Sequence, residues 1–368
     1  MKVLFIHNTL PEYRLEFFKE LSKQVELHIA VTDIQLANSV YGLSFKKDIP
    51  IGMVLVNRPK DILGVMDSNE FNVVVFPPID TIYQFVVAFF AYKKCLQKKI
   101  PFVYWSEKWE APLGSQPFKK RIKNWLHMKM ITFYAKKANL CVASGSKARE
   151  YLVTYGVDKQ NIVYAYDSST SPSCDENTSI REKYGFSQNS KIVLYLGRLI
   201  ERKGIMNLIN AFKFVKNQLP SAYLLICGEG EMLKKCKDYV AETNLENVIF
   251  AGKIEPSNRS LYYQQSDLFV LPSYPFQGII EAWGLTVNEA LEQGTPVIAT
   301  DSVGAAYDLA NGRECVMVPS GDDIALGKAI VDMLIAEKPV EESKKLYSQF
   351  SVRQMASQFA SALLKISN

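Results

Sequence analysis

Short apolar runs alternate with longer stretches of helical periodicity along all 368 residues. Runs at 2–6, 26–31, 72–76, 101–105 and 140–143 predict strands in the first half. Those at 191–196, 222–227, 247–250, 268–271 and 296–299 do so in the second. Between them, 12–24, 83–98, 120–138, 204–218, 231–243 and 285–293 carry apolar residues at the spacing of amphipathic helices. The strand runs are continuous in Val, Ile and Leu, which suits strands covered on both faces of a parallel sheet. Strand–helix alternation twice over predicts an α/β protein of two doubly wound, Rossmann-like domains. The seam is the polar run DSSTSPSCDEN at 167–177, after which the pattern restarts at Lys191. The expected division is a first domain over 1–170, a linker over 171–187, a second domain over 188–348, and a C-terminal helix over 349–368 free to pack back on the first domain. Two such domains are expected to face each other across a cleft at the carboxyl ends of their strands, where open α/β sheets bind ligands.

Composition adds a charge asymmetry. The chain is 48% hydrophobic and 22% charged, which excludes disorder and collagen-like repeats. Its net charge of +5 divides into +7 for residues 1–186 and −2 for the remainder. That excess is too small to argue for nucleic acid. Seven basic residues between Lys119 and Lys137 are interleaved with Ile122, Trp125, Leu126, Met128, Met130, Ile131, Phe133 and Tyr134. This pattern suits either a helix lying on an anionic membrane or an ordinary helix packed on a sheet with a solvated basic face. The longest apolar uncharged stretch, Thr81 to Tyr92, falls short of the roughly 20 residues a spanning helix needs. The first apolar run is too short for a signal-peptide core. The six cysteines have no C-x-x-C pair, so reduced thiols in a cytoplasmic protein are expected.

Candidate chemistry gathers in the second half. The strand at 191–196 runs into Gly197-Arg198-Leu-Ile-Glu-Arg202-Lys203-Gly204, a glycine turn with cations before a helix start, which suits an anion site. The strand at 222–227 ends in Gly228-Glu229-Gly230. After the strand at 268–271 comes a turn-rich loop, then Glu281 and, eight residues on, Glu289 inside a predicted helix. Three extended and five helical steps separate those carboxylates by at most roughly 17 Å. A nucleotide sugar spans a comparable length, with a polyol at each end of a diphosphate.

These residues resemble the family 4 glycosyltransferases, retaining enzymes of the two-domain GT-B fold. The match runs through Gly197-Arg198 with Lys203-Gly204, Gly228-Glu229-Gly230, Gly252-Lys253-Ile254, Asp267 to Ser273, the Glu281/Glu289 pair and Gly294-Thr295-Pro296. It is similar in particular to members that build bacterial surface polysaccharides. The resemblance implies that Arg198 and Lys203 clamp the donor diphosphate and that Glu281 faces the transferred sugar. It further implies that Gly284, Leu285 and Thr286 offer backbone N–H groups and that Glu289 binds the ribose hydroxyls. Ile254 would lie at the base edge, with Gly197 and Gly228 allowing close approach. The donor would be a nucleotide sugar, most simply UDP-linked. The acceptor would be a glycan or lipid-linked saccharide at the inner face of the cell membrane, with peripheral contact to anionic lipid.

The chain contains no Asp-x-Asp, so no metal or other cofactor is expected. The first half departs from the family pattern. His7-Asn8-Thr9 stands where many members have a glycine pair, and Glu107 where many have a histidine. Asn8, Tyr13, Arg14, Trp105 and Glu107 are the acceptor-side candidates, with Trp105 expected to stack on a sugar face. Two other readings are open at this point: a non-catalytic nucleotide-sugar-binding partner and a nucleotide-sugar epimerase.

Overall fold

The computed structural model describes residues 1–32, 52–79, 81–109, 118–172, 174 and 178–367. The first sheet comprises β1 (Lys2–His7), β2 (Glu26–Val31), β3 (Gly52–Leu55), β4 (Val73–Phe76), β5 (Phe102–Ser106), β6 (Leu140–Ala143) and β7 (Ile162–Tyr164). Its order is β3-β2-β1-β4-β5-β6-β7, with every pairing parallel. Helices α1 (Glu12–Ser22), α2 (Asp61–Asp67), α3 (Ile82–Lys98), α4 (Phe118–Ala135) and α5 (Ser146–Thr154) connect these strands. The start of α3 is set by a capping box: Gln84 N–H donates to the Thr81 hydroxyl, and Thr81 N–H to the Gln84 carbonyl oxygen.

The second sheet comprises β8 (Lys191–Leu196), β9 (Ala222–Cys227), β10 (Val248–Gly252), β11 (Leu268–Leu271), β12 (Val297–Thr300) and β13 (Cys315–Val318). Its order is β10-β9-β8-β11-β12-β13, again parallel. Its helices are α6 (Ile180–Tyr184), α7 (Ile205–Gln218), α8 (Leu233–Glu242), α9 (Arg259–Gln265), α10 (Leu285–Glu292), α11 (Ala306–Leu309), α12 (Asp323–Ile335) and α13 (Val340–Gln349). The chain closes on α14 (Val352–Ser367).

The chain divides into two compact units: the described residues of 1–109, 118–168 and 352–367 form the first, and those of 169–351 the second. Successive residues of β1 serve opposite layers. Leu4 and Ile6 face a cluster with α3, while Val3 and Phe5 face one with α1 and α14. The apolar stripe of α14, Val352, Met355, Phe359 and Leu363, fills that second layer, with the Phe359 ring 5.5 Å from Phe5 and 5.6 Å from Trp105. In the second unit, Val193 and Tyr195 of β8 pack with Leu208 and Phe212 of α7 and with Ile330 of α12.

The expected strands are present at shifted ends, and three short edge or near-edge strands, β3, β7 and β13, join them. The segment expected as linker differs most. Its helix α6 packs within the second unit, where Ile180 N–H donates to Gln265 and the Tyr184 and Tyr262 hydroxyls share a 2.9 Å hydrogen bond. Residues 173 and 175–177 of that segment lie outside the described residues.

Candidate functional site

Strand order in the second sheet reverses between β8 and β11, the switch point at which doubly wound sheets open a crevice at their carboxyl ends. The loops leaving those two strands, 197–204 and 272–284, are bound to each other. Tyr274 N–H donates to the Arg202 carbonyl at 3.0 Å, and its hydroxyl donates to Glu201 at 2.7 Å. Gly204 sits at φ +68, and a Cβ there would meet the Pro272 carbonyl oxygen at 1.9 Å, so only glycine allows the loops this close.

Between them lies a compact ion cluster. Arg202 Nη1 and Lys203 Nζ each lie 2.6 Å from Glu281 Oε2, and none of the three side chains is more than 20% exposed. Burial pushes the Glu281 carboxyl up, but Lys203 and Arg202 outweigh it and hold the group below its ordinary value. Burial lowers Lys203, and Glu281 opposes that shift. The Glu281 backbone is fixed as well, since its N–H donates to Ser302 and its carbonyl accepts from Gly304. Two cations against one carboxylate leave a surplus positive charge in a half-buried crevice, where anions are attracted more strongly than in water. The sequence reading paired Lys203 with Arg198. Here Arg198 is exposed, and among the described residues it enters no ion pair; Arg202 occupies the place beside Glu281. The periodicity of a 3₁₀ turn over Glu201–Lys203 decides which cation turns inward, and sequence spacing alone does not reveal that turn.

Helix α10 follows, with Gly284 as its N-cap and Leu285 and Thr286 half-buried in its first turn. Glu289 lies on its buried face at 5% exposure, where it accepts from the Tyr263 hydroxyl at 3.0 Å and the Ser169 hydroxyl at 3.3 Å. Neither partner carries charge, so burial raises the Glu289 carboxyl above its usual range; Arg259, Tyr263 and Ser169 only partly oppose this. On the other side of the switch point, Gly197 N–H donates to Cys227 and Gly228 N–H to Gly252. A Cβ on Gly228, at φ +141, would stand 1.9 Å from the Gly197 carbonyl oxygen. Ile254 is half-buried in the loop leaving β10. Thus Gly197, Gly228, Lys203, Glu281, Gly284 and Glu289 all belong to the carboxyl edge of one sheet.

The first unit carries a different cluster at its own carboxyl edge. Arg14, in the first turn of α1, is 2% exposed. Its guanidinium donates to both carboxylate oxygens of Asp167, just past β7, and to Glu107 Oε1 at 2.6 Å, just past β5. Burial alone would lower its pKa, but the two carboxylates reverse that and raise it. Beside it, burial and the Arg14 charge push His7 down to about 4, so its ring is neutral at pH 7. Asp167, which lies in the polar seam of the sequence, is the residue that joins this cluster across 153 positions.

Two acceptor-side expectations change. Trp105 is 2% exposed and enclosed by Phe5, Phe17, His7 and Phe359, so it is a core ring with no face for a sugar. Arg14 is sealed in its ion cluster, between the Tyr13 and Trp105 rings at 5.1 and 5.0 Å. Glu107 is 32% exposed, and Asn8 is half-buried at the end of β1.

Two parallel, doubly wound sheets of this kind make up the GT-B fold. The whole chain is similar to HepE of Anabaena, solved in complex with UDP, at a TM-score of 0.75 and 17% identity over 100% of both chains. It is likewise similar to the lipopolysaccharide outer core galactosyltransferase WaaB, at a TM-score of 0.71 and 17% identity over 99% of each. Residues 176–349, which hold the second sheet and its ion cluster, match the family profile "Glycosyl transferases group 1". Among curated relatives, the alpha-monoglucosyldiacylglycerol synthase of Streptococcus pneumoniae is 33% identical over 174 residues, 46% of this chain and 37% of that protein. The phosphatidyl-myo-inositol mannosyltransferase of Mycobacterium leprae is 31% identical over 163 residues, 44% of this chain and 41% of that protein. The chain thus spans well under two thirds of the length of these two relatives.

Proposed function

We propose that the chain is a retaining glycosyltransferase that moves a hexosyl group from a UDP-sugar to a glycan or lipid-linked acceptor in surface polysaccharide or glycolipid synthesis, without a metal ion. The observation that carries the reading is the Arg202–Lys203–Glu281 cluster, whose surplus positive charge lies one loop from the buried Glu289. In the reaction, the bond from the sugar anomeric carbon to the diphosphate oxygen breaks and a bond from the acceptor hydroxyl oxygen to that carbon forms. The acceptor proton passes to the departing diphosphate, on the face that it leaves. Lys203 and Arg202 exchange their contact with Glu281 for the phosphate oxygens and stabilise the charge that develops there. Arg198, exposed at the same loop, adds long-range attraction. Glu281 then turns to hydroxyls of the transferred sugar, the N–H groups of Gly284, Leu285 and Thr286 meet sugar or phosphate oxygens, and Glu289 accepts from the ribose. Gly197, Gly228 and Ile254 border the base. In the first unit, Glu107, Asn8 and Tyr13 are the groups proposed to meet the acceptor.

The relatives named for glycolipid synthesis, and the UDP in HepE, support this class of donor and acceptor. A GDP-mannose-dependent relative from Mycolicibacterium smegmatis makes GDP the alternative nucleotide. The decisive test is thermal shift with UDP-, GDP-, ADP- and dTDP-sugars, each with and without EDTA. A donor at 100 times its Kd should stabilise the fold by about 2.7 kcal/mol. No shift with any of them, or a shift abolished by EDTA and restored by Mn²⁺, contradicts the proposal. Lys203→Ala leaving glycan assembly intact in cells would favour a non-catalytic binding partner instead. Epimerisation of the donor in the absence of acceptor would favour an epimerase.

A membrane contact is part of this reading. Helix α4 buries Met128, Ile131 and Tyr134 yet leaves Ile122, Trp125 and Leu126 about half exposed, at 49%, 51% and 53%, with Phe133 at 38%. Positions 122, 125, 126, 129 and 133 form one helical row, and Lys129 lies 5.5 Å from the Trp125 ring. Exposed apolar residues with cations along one row suit the headgroup boundary of anionic lipid. The side chains of Lys119, Lys120, Arg121 and Lys123 lie outside the described residues. Among the described residues, no helix is long and apolar enough to cross a membrane.

A further inference from the structure

Arg259 is a cation that the residue roles above leave unused. It opens helix α9 directly after the loop that leaves β10, on the same carboxyl edge as Glu289. Four residues on, Tyr263 donates its hydroxyl to Glu289 Oε2. Residues four apart share one helix face, so Arg259 lies on the face that Tyr263 turns toward Glu289. Its charge is felt by both of those groups, since it lowers each of their pKa values. Yet no ion pair joins Arg259 to Glu289, and the Arg259 Nε–H, fully out of solvent, has no hydrogen-bond partner. Among the described residues, the hydrogen-bond partners of the Glu289 carboxylate are two hydroxyl groups. A half-buried cation with one N–H out of solvent and unpartnered, and a buried carboxylate that feels its charge without an ion pair, form a polarised pair. Folding alone would favour closing it, because a buried guanidinium N–H without an acceptor is costly. A ligand that carries both hydroxyl donors and oxygen acceptors satisfies both groups at once.

We infer that Arg259 is a binding residue for the nucleoside end of the donor, donating from its guanidinium to ribose or base oxygens while Glu289 accepts from the ribose hydroxyls. This inference rests on the donor-site reading above and adds a residue to it. Arg259 therefore contributes to nucleoside affinity and not to the diphosphate grip, which belongs to Arg202 and Lys203.

The test is calorimetric titration of the intact protein with UDP, GDP, ADP and dTDP, and separately with inorganic pyrophosphate. The wild type is compared with Arg259→Met and Arg259→Lys. For the tightest nucleotide, Arg259→Met should weaken binding about tenfold or more, while pyrophosphate affinity stays within about twofold. Arg259→Lys, which keeps the charge but loses the planar fork, should fall between the two. Retained pyrophosphate binding also reports that the variant is folded; if Arg259→Met does not fold, Arg259→Gln carries the same comparison. Unchanged nucleotide affinity in the variants, or an equal loss for nucleotide and pyrophosphate, overturns the inference and leaves the donor-site reading intact. Failure of the wild type to bind any of the four nucleotides overturns both.

Discussion

At the carboxyl edge of the first sheet one guanidinium is shared by two carboxylates; at that of the second, two cations share one carboxylate. Both clusters are largely out of solvent; the first ties segments that follow β1, β5 and β7, and the second ties the loops of the neighbouring strands β8 and β11. They differ in what is left over. Arg14 is saturated by Asp167 and Glu107, so its charge is neutralised within the cluster and the worth of the guanidinium is structural: it pins the start of α1 to the ends of β5 and β7, while Glu107 stays partly exposed. Arg202 and Lys203 spend a single shared oxygen, so the second cluster keeps unspent positive charge and can exchange Glu281 for a phosphate. Counting charges within a buried cluster therefore separates a brace from a binding site, even where the residue types are the same.

The sharpest way to break the comparison is to remove the central cation of each cluster. Arg14→Met leaves Asp167 buried beside Glu107 without its partner, and unfolding free energy should drop by about 3–5 kcal/mol in denaturant titrations. Unchanged stability would mean that the first cluster is not a brace. Lys203→Ala should instead leave the melting temperature within a few degrees of wild type and lower kcat about 10²- to 10³-fold, the usual cost of losing one donor to a developing oxyanion. A Lys203→Ala variant that unfolds like Arg14→Met would erase the distinction.

Acidity gives a subtler contrast. His7 titrates near 6.5 in the unfolded chain and at about 4 when folded, so between those values the unfolded state holds the extra proton. Stability is thus fully present above pH 6.5 and is lost on acidification, by on the order of 3 kcal/mol at pH 4. In His7→Gln this part of the pH dependence should vanish from denaturant midpoints measured at pH 4.5 and 7. Glu289 has the opposite sign. Its raised pKa means that the folded state favours the proton, so its charge costs stability as pH rises through the shifted value. Glu289→Gln, which keeps one oxygen to accept from a hydroxyl and offers an N–H to the oxygen of the other, should melt higher than wild type at pH 8 while losing nucleotide affinity. The smallest effect is expected at the exposed row of α4: Trp125→Ser with Leu126→Ser should weaken sedimentation with anionic vesicles several-fold and leave donor binding unchanged. Equal vesicle binding would make that row ordinary surface.

Much of the architecture could be read from residue pattern, and the reasons are local. Strands such as Val73–Phe76 and Leu268–Leu271 are covered on both faces, so their unbroken apolar runs stand out. Strand Gly52–Leu55 lies at a sheet edge with every residue exposed, and Ile162–Tyr164 is three residues long, so neither leaves such a trace. The same reasoning explains Trp105. A strand covered on both faces sends Val103 and Trp105 into one layer and Phe102 and Tyr104 into the other, so an aromatic inside it belongs to the core. The donor-side residues could be found because they lie within short loops after strands, where spacing along the chain maps onto spacing in the fold. Asp167 could not, because its partnership with Arg14 is created only when β7 and α1 are brought to one sheet edge. Arg202 was visible as a cation, but the turn that points it at Glu281 was not.

The central claim is that the surplus charge of the second cluster is a diphosphate grip. It is tested most directly by titrating UDP and uridine into wild type and Lys203→Ala under identical salt. Wild type should bind UDP far more tightly than uridine, and Lys203→Ala should lose at least about tenfold in UDP affinity with uridine unaffected. Equal UDP affinity in the two proteins would contradict it.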